Sequence, residues 1–202
     1  MNHYLGVFAI QAFALTAVSF VSVAQEIPTY NQEKTVEKIC AFDAVEKLLP
    51  APVNRQTQSP FSYLEQQGFV QDSDTSWVCY VNDPKKEGRY YTIFKVQQID
   101  NKLVASTFLE NGNLIAGQKN RSLDFFITLI ENHTNTTPGN RQSIRIYLDS
   151  FFSLVQQGKV PLSRRSYLFD QPNRGFVSYH PLLSGKLQGS AVTININMTP
   201  KN

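Results

Sequence analysis

The residues best placed to do chemistry lie in the last quarter of the chain: Arg164, Arg165, Asp170, Arg174, Tyr179 and His180. Arginines in loops beside a histidine can bind and polarise a phosphoryl or carboxylate group, with His180 as general acid or base. The spacing matches no catalytic motif. The bland reading is a histidine at a strand end with solvated arginines around it, and it carries more weight for catalysis. Anion binding by Arg164, Arg165 and Arg174 is the stronger expectation. The charge distribution agrees. Residues 158–202 hold six basic residues and one acidic, whereas residues 1–157 hold thirteen basic and fifteen acidic, within a total of +3. A basic quarter suits an anionic partner, such as a phosphate, an acidic polymer or an acidic protein surface. Without a dense Lys/Arg cluster, nucleic acid is not expected as a partner.

Other chemistry is sparse. Beyond His3 near the start, the chain has two histidines, His133 and His180, far apart in sequence. No His-Glu-x-x-His, Gly-x-Ser-x-Gly, phosphate-cradling glycine loop or calcium loop occurs, so neither a metal nor a cofactor is expected. Trp77, Tyr90 and Tyr91 could form a sugar-stacking platform, but strand residues of this kind more often pack into a core. Four glycosylation sequons begin at Asn120, Asn132, Asn135 and Asn197. They carry meaning only in a eukaryotic secretory route.

The N-terminus sets the compartment. Leu5 to Val23 is an uncharged apolar run that ends in Ser22-Val23-Ala24, small residues where signal peptidase cuts. Residues 1–24 therefore read as a signal peptide, despite having only His3 in place of the usual basic residue. A retained anchor is the alternative, and only then would a membrane be a partner. Cleavage leaves residues 25–202 as a single domain, exported to a periplasm or beyond the cell. In such a compartment Cys40 and Cys79, the two cysteines of the chain, pair as a disulfide. That pairing removes both thiols from the catalytic candidates.

The elements that must position these groups follow from periodicity. Residues 32–49 carry a four-residue apolar stripe that includes Cys40, which predicts a helix ended by Pro50. A polar linker precedes a short helix at 59–67, with Ser59 capping and Gly68 closing. Alternation predicts strands at 77–81, 89–99 and 103–109, with Tyr90, Thr92, Phe94 and Val96 on one face. Asn111-Gly112 signals a hairpin into a short strand at 114–116. Two helices follow, 122–132 and 142–157, the first so apolar that its own core or a partner must cover it. Strands at 166–169, 175–179 and 185–197 complete an α+β domain: an antiparallel meander sheet with helices packed on one face. Cys79 shares a face with Trp77, so the disulfide would pin the first helix to the sheet.

The reading that best fits this inventory is a non-catalytic exported domain. It would bind another protein with an acidic surface, as an accessory factor, inhibitor or immunity-type partner. The alternative is a small hydrolase or transferase acting on an anionic substrate through His180 and the neighbouring arginines. A third reading, an adhesive or envelope component, would need self-association through the edge of the 192–197 strand.

Overall fold

The computed structural model describes residues 38–40, 42, 59–83, 87–110, 112–170, 173–184 and 187–198, with the backbone alone at 183, 184, 187 and 188. All of them belong to one compact unit, Val36–Asn202. The signal segment lies outside the described residues, as does the polar linker up to residue 58. Most of the helix expected at 32–49 also lies outside; its described part, Lys38–Cys40, is a turn.

That turn docks on the next segment through backbone. Cys40 N–H donates to the Gln67 carbonyl at 2.9 Å, and Gly68 sits so close that a Cβ there would lie 2.7 Å from the Cys40 oxygen. With φ at +85°, glycine is the residue this junction accepts. Before it, Ser59 Oγ accepts from Phe61 N–H at 3.2 Å and opens the turn into α1 (Tyr63–Gln66). Phe61 and Leu64 are fully buried, as their spacing implies.

Two antiparallel meanders follow, separated by two helices. The first is β1 (Val70–Ser73), β2 (Ser76–Asn82), β3 (Tyr90–Ile99) and β4 (Lys102–Leu109). The helices are α2 (Gln118–His133) and α3 (Pro138–Gln156). The second meander is β5 (Arg164–Phe169), β6 (Gly175–Ser184) and β7 (Leu187–Asn197). The chain returns so that β7 pairs with β4, giving one seven-stranded antiparallel sheet in the order β1-β2-β3-β4-β7-β6-β5. The fold is mixed α+β. Strand β7 is interior, with β4 on one side and β6 on the other, so the 192–197 segment has no free edge for self-association. Leu114–Ala116 is not a strand; after the turn that bridges Glu110 and Asn113, the chain runs into α2.

One bulge changes a face. Cys79 opposes Phe94 and Tyr80 opposes Thr92, so Ile93 has no opposite number. The extra residue inverts the alternation before it. Tyr91, opposite Val81, therefore packs on the core, whereas Tyr90 and Thr92 point away from the side that holds Phe94 and Val96.

The aromatic core joins strands to helices. Phe125 of α2 stacks at 5.2 Å on Phe94 of β3 and at 5.0 Å on Phe69, and Phe126 faces Phe152 of α3 at 6.1 Å. Leu123, Leu129 and Ile130 are buried too, so the chain's own core covers the apolar helix. A buried polar network fixes the start of α2, whose N-cap Gly117 offers no side chain. Gln118 Nε2 donates to Thr107 Oγ1 at 2.9 Å and to the Phe108 carbonyl at 2.7 Å, its Oε1 accepts from Ile115 N–H, and Ser122 Oγ meets Thr107 at 2.9 Å. Every donor in it has a partner, which is what makes such a network tolerable in a core. Helix α3 opens with Thr137 Oγ1 accepting from Asn140 N–H and Pro138 in its first turn. It closes before Gly158, φ +66°.

Cys40 and Cys79 are joined as a disulfide, with Cα atoms 5.7 Å apart. It links the 38–40 turn, not a helix, to β2. Closing a loop of this length restricts the unfolded chain by about 4 kcal/mol in the chain-entropy model. The bond is consistent with an oxidising compartment.

Candidate functional site

Opposed residues in an antiparallel ladder share a side of the sheet. In β6, Val177 and Tyr179 turn to the core, while Phe176, Ser178 and His180 turn the other way. Arg165 opposes Ser178 and Arg164 opposes Tyr179. Adjacent in sequence, the two arginines therefore point to opposite sides of β5, and only Arg165 joins the polar side.

On that side, at one end of the sheet, lies an open groove of about 460 Å³. Lys102, Arg165 and Arg174 supply its cations; Phe176, Ser178, Asn195 and Asn197 complete its lining. It crosses four strands in the order β4-β7-β6-β5. The sheet places each cation. Lys102 begins β4 opposite Asn197, and Arg174 precedes β6, its carbonyl accepting from Asn197 N–H at 2.9 Å. Arg165 extends from β5 over Phe176, its guanidinium carbon 3.8 Å from the ring centroid.

The three cations differ electrostatically. Arg174 Nε donates to Asp170 Oδ1 at 2.7 Å, and that hydrogen bond, with the carboxylate charge, holds the guanidinium above its ordinary pKa. Lys102 and Arg165 bond no carboxylate among the described residues. The groove thus carries two uncompensated positive charges above a floor of side-chain amides and a hydroxyl, a composition that favours an anionic group able to accept several hydrogen bonds.

His180 stands on the same side of β6 but does not line the groove. Its Nε2 is hydrogen-bonded to Thr193 Oγ1 at 2.8 Å, and Thr193 Oγ1 meets Ser106 Oγ at 2.8 Å. These are interior hydroxyls joining three strands. Tyr179, the residue beside it, points into the core. His133 is elsewhere, at the end of α2, against the Phe61 ring at 4.5 Å and Tyr63 Oη at 3.1 Å. Burial pushes that Tyr63 phenol well above its usual range. Among the described residues no cluster of three or more His, Cys, Asp or Glu side chains is placed to hold a metal ion. Nor is any helix among them long and apolar enough to cross a membrane.

The aromatic platform does not assemble. Trp77 is buried in the core and Tyr91 packs against it, while Tyr90 meets Tyr80 edge-on at 5.2 Å on the opposite side. Burial, with Asp72 and Tyr90 adding to it, raises the Tyr80 phenol.

Of the three arginines expected to act together, the structure brings Arg165 and Arg174 to one groove and leaves Arg164 behind the sheet. Lys102, Asn195 and Asn197 were not expected there. The alternation of Thr193, Asn195 and Asn197 marks a polar side of β7, buried at Thr193 and exposed at Asn197; that was the available signal, but only the β4-β7-β6 pairing shows what borders it. No family model, curated protein or solved structure matches this chain.

Proposed function

We propose that the chain is an exported, non-catalytic binding domain that captures a protein partner through an acidic surface. Residues 1–24 act as the signal peptide, cleaved to leave residues 25–202 as one domain. Helices cover one face of its sheet, and the cationic groove opens on the other. The reading rests on one observation: Lys102 and Arg165, which bond no carboxylate among the described residues, line one groove with Arg174 at the exposed end of the sheet. Paired arginine and lysine donors over neutral amides suit carboxylate capture. Export is supported by the Cys40–Cys79 disulfide.

Catalysis through His180 has weaker support. That reading needs the ring within reach of an Asp, Glu or Ser in a pocket, and its Nε2 is instead engaged by the buried hydroxyl of Thr193.

The test is capture from the native extracellular or periplasmic fraction, comparing wild type with Lys102→Glu/Arg165→Glu/Arg174→Glu. The triple variant should lose the partner while staying folded; its unfolding midpoint should fall only by the small loss of the exposed Asp170–Arg174 pair and the Arg165–Phe176 contact, because all three residues are exposed. Capture that survives in a folded variant would show that the basic end is not the interface.

A further inference from the structure

The groove is bordered by the end of the sheet. Strand β5 pairs with β6 and stands last in the strand order. On such a strand every second residue turns its N–H and C=O away from its neighbour. An edge of this kind can take an additional strand from another chain. Proteins commonly block it with charged side chains or by covering it. Here the side chains on the groove side lean inward. The Arg165 guanidinium carbon lies 3.8 Å from the Phe176 ring centroid and the Tyr167 ring packs on the same Phe176 at 4.8 Å, so both side chains lean toward β6 and neither shields the outer edge of β5 from that side. Tyr167 remains 66% exposed, and Leu162, just before the strand, 51%. Polar backbone, apolar surface and cations thus lie side by side.

Charge selects the occupant. A second copy pairing edge to edge through β5, which reads Arg-Arg-Ser-Tyr-Leu-Phe, would bring more cations and no carboxylate to the seam. An acidic strand meets the opposite situation: a carboxylate opposite Arg165 falls on the side that also holds Lys102 and Arg174, and apolar side chains can cover Tyr167 and Leu162. We propose that an extended acidic segment of a partner protein adds to β5 as a further strand, with its carboxylates on the groove side, facing Arg165. This rests on the acidic-partner reading above and specifies how that partner is held.

The test uses the full mature chain and a fluorescein-labelled peptide of about eight residues alternating glutamate and valine, long enough to pair with Arg164–Tyr167, the stretch of β5 in regular register. Anisotropy should show saturable binding that falls at least about tenfold with Arg165→Glu, which corresponds to about 1.4 kcal/mol. Two further peptides carry N-methyl groups on alternate backbone nitrogens, one set on the even and one on the odd positions. They leave the protein untouched. Strand addition uses only one of the two sets, so one peptide should lose affinity at least about tenfold relative to the other. Equal affinity of the two overturns strand addition. If the parent peptide does not bind while partner capture still depends on Lys102, Arg165 and Arg174, strand addition falls and the acidic-partner reading stands. If heparin binds in place of the peptide and partner capture does not depend on those residues, both fall.

Discussion

The two edges of this sheet meet one difficulty, unpaired backbone, in opposite ways. Strand β1 is four residues long and irregular, with a register shift between Gln71 and Ser73. It is flanked by bracing: Phe69 stacked on Phe125, Gly68 against the Cys40 backbone, and a disulfide into the adjoining β2. Strand β5 is six residues long and half of it is exposed; it has a register shift of its own between Tyr167 and Phe169, and it carries Arg164 and Arg165. Its attachment is of another kind, by ladder and side chains without a covalent link. The Phe169 ring lies over Gly175 of β6, where a Cβ would come within 2.4 Å of it, and the Asp170–Arg174 ion pair closes the turn. Shortening and cross-linking suit an edge that only has to be stable. Length, exposure and cationic character suit one that receives something.

The largest expected effect breaks the braced edge. Cys40→Ala/Cys79→Ala should lower stability by about 4 kcal/mol, read by chemical denaturation, and wild type under reducing conditions should match it. Beyond the loss shared by every amide that exchanges through global unfolding, native-state hydrogen exchange should quicken most in β1 and β2, through local openings that the bond suppresses. Loss of protection in β5 to the same degree would mean that the edges are not independent. Next comes Gly68→Ala. A left-handed backbone costs a non-glycine residue about 1–2 kcal/mol, and the backbone oxygen 2.7 Å from the new Cβ has no flexible side chain to yield. A loss of about 2–3 kcal/mol in thermal or denaturant unfolding is expected, with exchange again quickened most on the braced side.

Why one edge was legible and the other was not follows from particular residues. Cys79, Trp77 and Val81 alternate in sequence, so β2 could be read directly, as could α3 from its apolar stripe and α2 from its apolar density, though both helices begin four residues earlier than expected, at Pro138 and Gln118. β1 could not: Val70-Gln71-Asp72-Ser73 has almost no apolar alternation and exists because β2 offers it a ladder. The bulge at Ile93 is a backbone event that leaves no mark in side-chain periodicity, and it misplaces Tyr90 and Tyr91. The groove needs a fact of topology, since Lys102 and Arg165 are far apart in the chain and meet only because β7 inserts between β4 and β6. Alternation alone, however, could have separated Arg164 from Arg165. Neighbours in a strand point to opposite sides.

A smaller effect tests the open edge. Gly175→Ala places a methyl group against the Phe169 ring, which can turn aside, so the expected cost is about 1 kcal/mol. Because that ring helps fasten β5, hydrogen exchange should quicken in β5 while β1 and β2 keep their protection. A uniform change would argue that both edges belong to one cooperative unit.

The smallest expected change in stability is the most informative about function. Arg165→Lys keeps the charge but removes a flat guanidinium from Phe176. An exposed cation–π contact contributes about 0.5–1 kcal/mol, and a lysine ammonium can recover part of it, so the unfolding free energy should move by no more than about 0.5 kcal/mol. Affinity for the glutamate–valine peptide should fall more than that change implies. Lysine offers a mobile point charge where arginine holds a fork of donors in place, and the ring fixes that fork before any ligand arrives. Arg165→Glu should be worse again, since it reverses the charge. The ordering arginine, lysine, glutamate in affinity, with nearly constant stability, would separate the open edge from the braced one as a site from a scaffold. If Arg165→Lys instead destabilises as much as Gly175→Ala, then Arg165 is part of what fastens β5. Its stacking on Phe176 would then be packing, and the contrast between the edges would reduce to a difference in strand length.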